Sequence, residues 1–197
     1  VVDALFTLDY IDKDNIAVTG HSRGGKTVLL AGALDERIKF VNPNGSGCHG
    51  CGCYRYVQYN ENKIYEDERC ERLSDLFSVV PYWMGEGMKK YIGKENEVPH
   101  DMHFIKALIA PRYLLETNGY GDIWSNPKGS YLTFLAAREV WKLYGKEDNC
   151  ATWYRFGGHA QGKGDFNALF DFMEAALSGA RLPEAFRRKP YDDIEVE

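Results

Sequence analysis

The sequence predicts an α/β domain whose mostly parallel sheet is covered by helices on both faces. Three observations lead there. Apolar runs of strand length alternate with segments of helical period along most of the 197 residues. The connections between those runs are long enough to carry a helix, as parallel pairing requires. One run, IAVT, passes through a glycine-bracketed turn directly into a helix, GKTVLLAGAL.

In chain order, residues 1–10 read as a helix, with Val2, Leu5, Phe6 and Leu8 spaced for one buried face, and residues 12–15 as a polar turn. Residues 16–19 form a short buried strand, 24–34 a helix and 38–41 the next strand. A Cys- and Tyr-rich excursion then runs from 44 to about 101, holding a short helix over 71–77 and the aromatic run Pro81-Tyr82-Trp83. Residues 112–116 are a third strand, 128–144 a strongly amphipathic helix, 152–156 a fourth strand and 165–177 a closing helix. Residues 1–180 are assigned to the domain and 181–197 to a C-terminal tail. Right-handed crossovers place the functional loops beyond the carboxyl ends of the strands.

Composition narrows the function. Lys and Arg number 24 against 29 Asp and Glu, for a net charge of −5, which gives no footing for a nucleic-acid surface. No stretch approaches the roughly 18 apolar residues of a membrane span; the richest, residues 104–115, is broken by Lys106, Pro111 and Arg112. Aromatic residues make up 14%, with 13 Tyr and 4 Trp, a composition suited to gripping sugars or flat surfaces. Five cysteines, Cys48, Cys51, Cys53, Cys70 and Cys150, leave at least one unpaired within the chain. Zinc bound by Cys48, His49, Cys51 and Cys53 is disfavoured, because one tight turn rarely wraps a tetrahedral ion. A disulfide from Cys48 or Cys53 to Cys70 or Cys150 ranks above zinc, and buried free thiols rank first.

The chemistry centres on Gly20-His21-Ser22-Arg23-Gly24, a G-x-S-x-G sequence between strand and helix. There the serine sits on a sharp, strained turn with Oγ exposed, and the helix N-terminus offers N–H groups to a developing oxyanion. The same letters, GHSRGGKT, also fit the phosphate-cradling G-x-x-x-x-G-K-[ST]. That rival needs a strand ending in Asp to hold magnesium, whereas IKFVNPN ends in Asn44 and RYLLE in Glu116.

An esterase needs an acid and then a histidine, each just past a strand. Asp122 follows RYLLE in NGYGDIW, and His159 follows TWYRF in GGHAQG. The order Ser, Asp, His is that of the α/β-hydrolases. The blander readings are that Asp122 only caps the turn before Trp124, and that a loop histidine does nothing. His21 lies in the elbow and His49 in the Cys-rich turn, while His100 and His103 precede an apolar helix. Glu116 is a reserve acid, placed too low in its strand.

In order along the chain, GHSRGGK, NPNGSGC, PYW, HFIKALIAPR, GDIWSNPKG and GGH resemble the glucuronoyl esterases, carbohydrate esterase family 15, across residues 12–177. Arg after the nucleophile and Lys four after it set that family apart from generic esterases. The resemblance implies an α/β-hydrolase fold and hydrolysis of the ester between 4-O-methyl-glucuronic acid on xylan and lignin alcohols, with neither metal nor cofactor. By position it makes Ser22 the nucleophile, His159 the base and Arg23 an oxyanion donor. Lys26 and Glu71 would bind sugar hydroxyls, and Trp124 would lie against the sugar ring. It also implies a periplasmic or extracellular address, since polymeric cell-wall substrates do not enter cells. Runners-up are another carboxylic ester hydrolase, such as an acetyl-xylan esterase, and remotely the phosphate-loop domain.

Two departures from the family stand out. Many members carry an acid in E-S-G or D-S-G after the strand following the nucleophile helix, where this chain has Gly45-Ser46-Gly47; others place an Asp after the next strand, where Asp122 stands, and the resemblance to those assigns the acid to Asp122. About four strands expected before Ile16 are absent. The chain is thus expected to be the C-terminal part of a larger domain, to need that missing part as partner, to expose the Ile16 strand as a sheet edge, and to be poorly soluble and weakly active or inactive alone.

Overall fold

The computed structural model describes residues 1–61 and 68–194. Four strands form one parallel sheet in the order of the sequence: β1 (Ile16–His21), β2 (Ile38–Asn44), β3 (Tyr113–Gly119) and β4 (Cys150–Arg155). The helices are α1 (Val2–Phe6), α2 (Arg23–Leu34), α3 (Leu73–Val79), α4 (Met102–Ala107), α5 (Pro127–Leu143) and α6 (Lys163–Ser178).

Alternation along the inner strands supplies both faces. Val41, Leu114 and Cys150 point to one core, shared with Leu29 of α2, Met102 of α4 and Phe134, Ala137 and Trp141 of α5. Their neighbours Phe40, Leu115 and Ala151 point to the other, built with Ala168, Leu169, Phe172 and Ala175 of α6. Gly32 lets α2 lie close on the sheet, since a Cβ there would meet Val41 Cγ2 at 2.4 Å.

All four expected strands form, and each differs in extent. The strand expected over 16–19 continues to His21, and it lies at one edge of the sheet, where Ile16 alone is buried. The expectation of a short buried strand is corrected accordingly. β2 continues to Asn44 because its polar end is satisfied inside the sheet. Fully buried Asn42 accepts from Thr19 Oγ1 at 2.7 Å and donates to the Leu115 carbonyl at 2.7 Å. The helix expected over 1–10 is confined to Val2–Phe6, which has no side-chain cap, and the one expected over 71–77 is Leu73–Val79.

The excursion is held by long-range polar contacts. Buried Asp101 accepts from the Tyr54 and Met102 N–H groups and from Arg55, and Arg72 reaches Glu95 at 2.6 Å. Lys106 and Glu116, both fully buried, pair at 2.7 Å, and the same ammonium donates to the Ser130 carbonyl and to Thr133 Oγ1. Burial pushes the Glu116 carboxyl up, opposed by the Lys106 charge. Glu116 is therefore spent inside the core, consistent with its low place in the strand. All five cysteines are free thiols; Cys48, Cys51, Cys70 and Cys150 are buried and Cys53 partly so. Leu182, Phe186 and Ile194 of the C-terminal segment are buried against the domain, and residues 195–197 lie outside the described part. No helix among the described residues is long and apolar enough to cross a membrane.

Candidate active site

Ser22 stands between β1 and α2 at φ 57°, ψ −120°, a left-handed backbone region that L-residues avoid. Its N–H donates to the Asn44 carbonyl at 2.9 Å, and its own carbonyl accepts the Lys26 N–H at 3.1 Å, so β2 and the first turn of α2 hold it there. Close packing explains two glycines around it. A Cβ on Gly20 would lie 2.4 Å from the Gly24 carbonyl oxygen, and one on Gly25 would lie 2.8 Å from Ser46 Cβ. A Cβ on Gly24 would meet open space. The tight approach therefore belongs to Gly20 and Gly25 rather than to both glycines of the motif.

The expected partners come together at the carboxyl ends of β3 and β4. Asp122 is 3% exposed, and its Oδ2 accepts from His159 Nδ1 at 2.8 Å. Its Oδ1 accepts the Ser125 N–H at 3.3 Å, so the carboxylate caps the 3₁₀ turn Ile123–Ser125 and orients the imidazole at once. The same carboxylate therefore makes the capping contact and the imidazole contact. Ser125 Oγ, also buried, donates to the Gly45 carbonyl at 2.9 Å and turns its lone pair toward His159 Nδ1 at 3.1 Å. The hydrogen bond that His159 donates to Asp122 raises the His159 pKa above its ordinary 6.5, against the opposing effect of partial burial.

Ser22 and His159 line one cavity of about 590 Å³, with Arg23, Lys26, Glu71 and Trp124. All seven candidate residues thus gather at this end of the sheet. The Lys26 ammonium donates to the Ser46 carbonyl (2.7 Å), the Cys48 carbonyl (2.5 Å) and Glu71 Oε2 (2.8 Å), which commits its three protons. The Glu71 N–H donates to the Trp124 carbonyl at 2.8 Å, fixing these two walls to each other. Gly47, at φ +61°, leaves the needed room, since a Cβ would sit 2.7 Å from Glu71 Oε2. Arg23 is exposed at the rim. The phosphate-loop reading loses its basis here, because its lysine is bound into the turn beside a carboxylate. An apolar cavity of about 490 Å³ adjoins, sharing Arg23, Lys26, Leu76 and Trp83 as a common wall.

Sequence reasoning missed several contributors. Ser125 follows Asp122 by three residues, a capping interval that was a usable signal. His21, in the elbow, packs its ring 4.4 Å from that of His159. Val79 and Val80 complete the cavity wall beside Trp83 of the Pro81-Tyr82-Trp83 run, and nothing local in the sequence announces those two valines.

The family model of fungal glucuronyl esterases matches residues 1–145. A 4-O-methyl-glucuronoyl methylesterase from Cerrena unicolor is 33% identical over 152 residues, 76% of this chain and 31% of its own length. A carbohydrate esterase of unknown prokaryotic origin is 36% identical over 135 residues, 68% of this chain and 29% of its own. The chain thus spans about a third of the curated relatives it matches. Among solved structures, a carbohydrate esterase family 15 glucuronoyl esterase from Caldicellulosiruptor kristjansonii superposes with a TM-score of 0.88 at 33% identity, covering 100% of this chain and 54% of that one. The glucuronoyl esterase catalytic domain of Hypocrea jecorina gives a TM-score of 0.75 at 28% identity, covering 94% and 51%.

Proposed function

This chain belongs to the glucuronoyl esterase family, with the α/β-hydrolase fold, and from that premise we propose that it cleaves 4-O-methyl-glucuronoyl esters through Ser22, His159 and Asp122. The observation that carries the proposal is the His159–Asp122 hydrogen bond at the mouth of a cavity shared with the strained Ser22. In this reading Ser22 Oγ attacks the ester carbonyl while His159 Nε2 takes its proton, the imidazolium being stabilised by Asp122. The carbonyl oxygen, now negative, is met by N–H groups at the start of α2 and by the Arg23 guanidinium. Collapse expels the alcohol, which takes the proton back from His159. Water then enters by the same base, releasing the uronic acid and restoring Ser22.

The natural ester is the one joining glucuronoxylan to lignin alcohols, and a polymer of that kind places the protein in the periplasm or outside the cell. The sugar sits against Trp124, where Glu71 accepts from its hydroxyls. Lys26 joins them by exchanging a carbonyl partner for a sugar oxygen. The domain extent, residues 1–180 as the C-terminal portion of a larger hydrolase domain with 181–197 as its tail, belongs to the same proposal.

Methyl glucuronate set against acetylated xylan tests the substrate class. Cleavage of the uronate alone is expected, and preference for the acetyl ester favours the acetyl-xylan alternative. Lys26→Ala is expected to raise KM for the uronate ester roughly 10- to 100-fold, the loss of a charge-assisted contact. It should leave a simple acetyl ester within a few-fold. Equal losses on both esters would remove Lys26 from sugar recognition.

A further inference from the structure

The loop that carries His159, residues 156–160, has no regular structure of its own, and one guanidinium organises it. Arg155, the last residue of β4, donates from its terminal nitrogens to the carbonyls of Phe156 (3.4 Å), Gly158 (3.1 Å) and Ala160. Two of those carbonyls flank His159. The guanidinium is fixed in turn by Asp165, whose Oδ2 accepts Arg155 Nε at 2.9 Å and the Gly162 N–H at 2.8 Å.

Asp165 is fully buried and extends the arrangement to the nucleophile. Its Oδ1 accepts from Asn44 Nδ2 at 3.0 Å, and that amide also donates to Thr117 Oγ1 at 2.8 Å. Asn44 Oδ1 therefore faces His21, which donates from Nδ1 at 2.6 Å beside Ser22. The Asp122 turn is tied in through its backbone, the Gly121 N–H donating to the Gly157 carbonyl at 2.9 Å. Two glycines make room for the fork. A Cβ on Gly157 would lie 2.9 Å from Arg155 Nη1, and one on Gly119 would lie 2.6 Å from the Gly157 carbonyl oxygen.

We propose that Arg155, held by Asp165, is a positioning residue that sets the place of the His159 imidazole relative to Asp122 and Ser22. A planar fork reaches several carbonyls from a fixed base, and a lysine ammonium in its place does not. The proposal rests on His159 being the catalytic base. Arg155→Lys keeps a cation beside Asp165 and releases the loop carbonyls. His159 then spends less time against Asp122, so its pKa falls toward the ordinary imidazole value.

The decisive experiment is an NMR titration of the His159 ring proton in the parent chain and in Arg155→Lys, with kinetics on methyl glucuronate. A lower His159 pKa is expected, together with a kcat reduced roughly 10- to 100-fold by misplacement of the base and a KM within twofold. A simple loss of folded protein would move neither the titration nor the KM. If Arg155→Lys does not fold, Asp165→Asn serves, since its amide oxygen still accepts from Gly162 while the charge fixing the guanidinium is gone. An unchanged His159 titration in whichever variant folds overturns the proposal. If the chain joined to the rest of its hydrolase domain cleaves no ester, the esterase reading is refuted, while the titration still decides the role of Arg155.

Discussion

Asp122→Asn is expected to lower kcat on a methyl glucuronate ester by about 10⁴-fold, the scale on which a triad acid acts by fixing its histidine. Asp122 Oδ2 accepts the hydrogen bond from Nδ1–H, which leaves Nε2 as the free lone pair for Ser22. An amide at this position presents its NH₂ to Nδ1 as readily as its oxygen, and the opposite tautomer then points a proton at the serine. The pH profile should move as well. His159 works as a base when neutral, and Asp122 raises its pKa above 6.5, so the acid limb of kcat/KM lies above that value in the parent and falls in the variant. The same contact contributes to stability. It is fully present below the ordinary imidazole value and lost as pH rises through the raised folded value. Rates within tenfold of the parent, with an unmoved acid limb, would show that Asp122 only caps its turn.

Lys106→Met is the second large effect, and it falls on the fold. Removing the ammonium strands the fully buried Glu116 carboxylate, at an expected cost of about 3–5 kcal/mol. In a domain of this size that lowers Tm by roughly 6–20 °C. Lys106→Met with Glu116→Leu removes both charges and should recover most of the loss, because a buried pair is weakly stabilising against an apolar substitute. Urea midpoints of the single and double variants measure this. Equal destabilisation in both would show that the Lys106 bonds to Ser130 and Thr133, rather than Glu116, account for the cost. The pair matters to the site because β3 carries Glu116 in its middle and delivers Asp122 just beyond its end.

What the sequence made legible follows from local physics. Strands β2, β3 and β4 and helices α2, α5 and α6 announce themselves by apolar period, and Ser22, Asp122 and His159 by their places after strands. The far end of β1 is less legible, because beyond the run IAVT the strand continues through Gly20 and His21, which add nothing to the apolar signal. The path of residues 44–101 was illegible for a different reason. Its order comes from pairs such as Arg72–Glu95 and from Asp101 reaching back to Tyr54, which leave no local period. The Arg155–Asp165 fork has the same character. Ten residues and a turn separate the two, and each alone reads as an ordinary surface charge. The free thiols are legible only as an odd count, and packing decides their state: burial pushes Cys51 up to about 12 and Cys48 well above its ordinary value, leaving both protonated.

The central claim is that distant loops activate one hydroxyl. A serine-directed fluorophosphonate, with the modified peptide located by mass spectrometry, tests it without needing the natural ester. The parent chain is expected to be labelled at Ser22, at a rate that rises as His159 loses its proton, and His159→Gln to lose the label. Labelling elsewhere, or labelling of Ser22 that is indifferent to His159, would contradict the account.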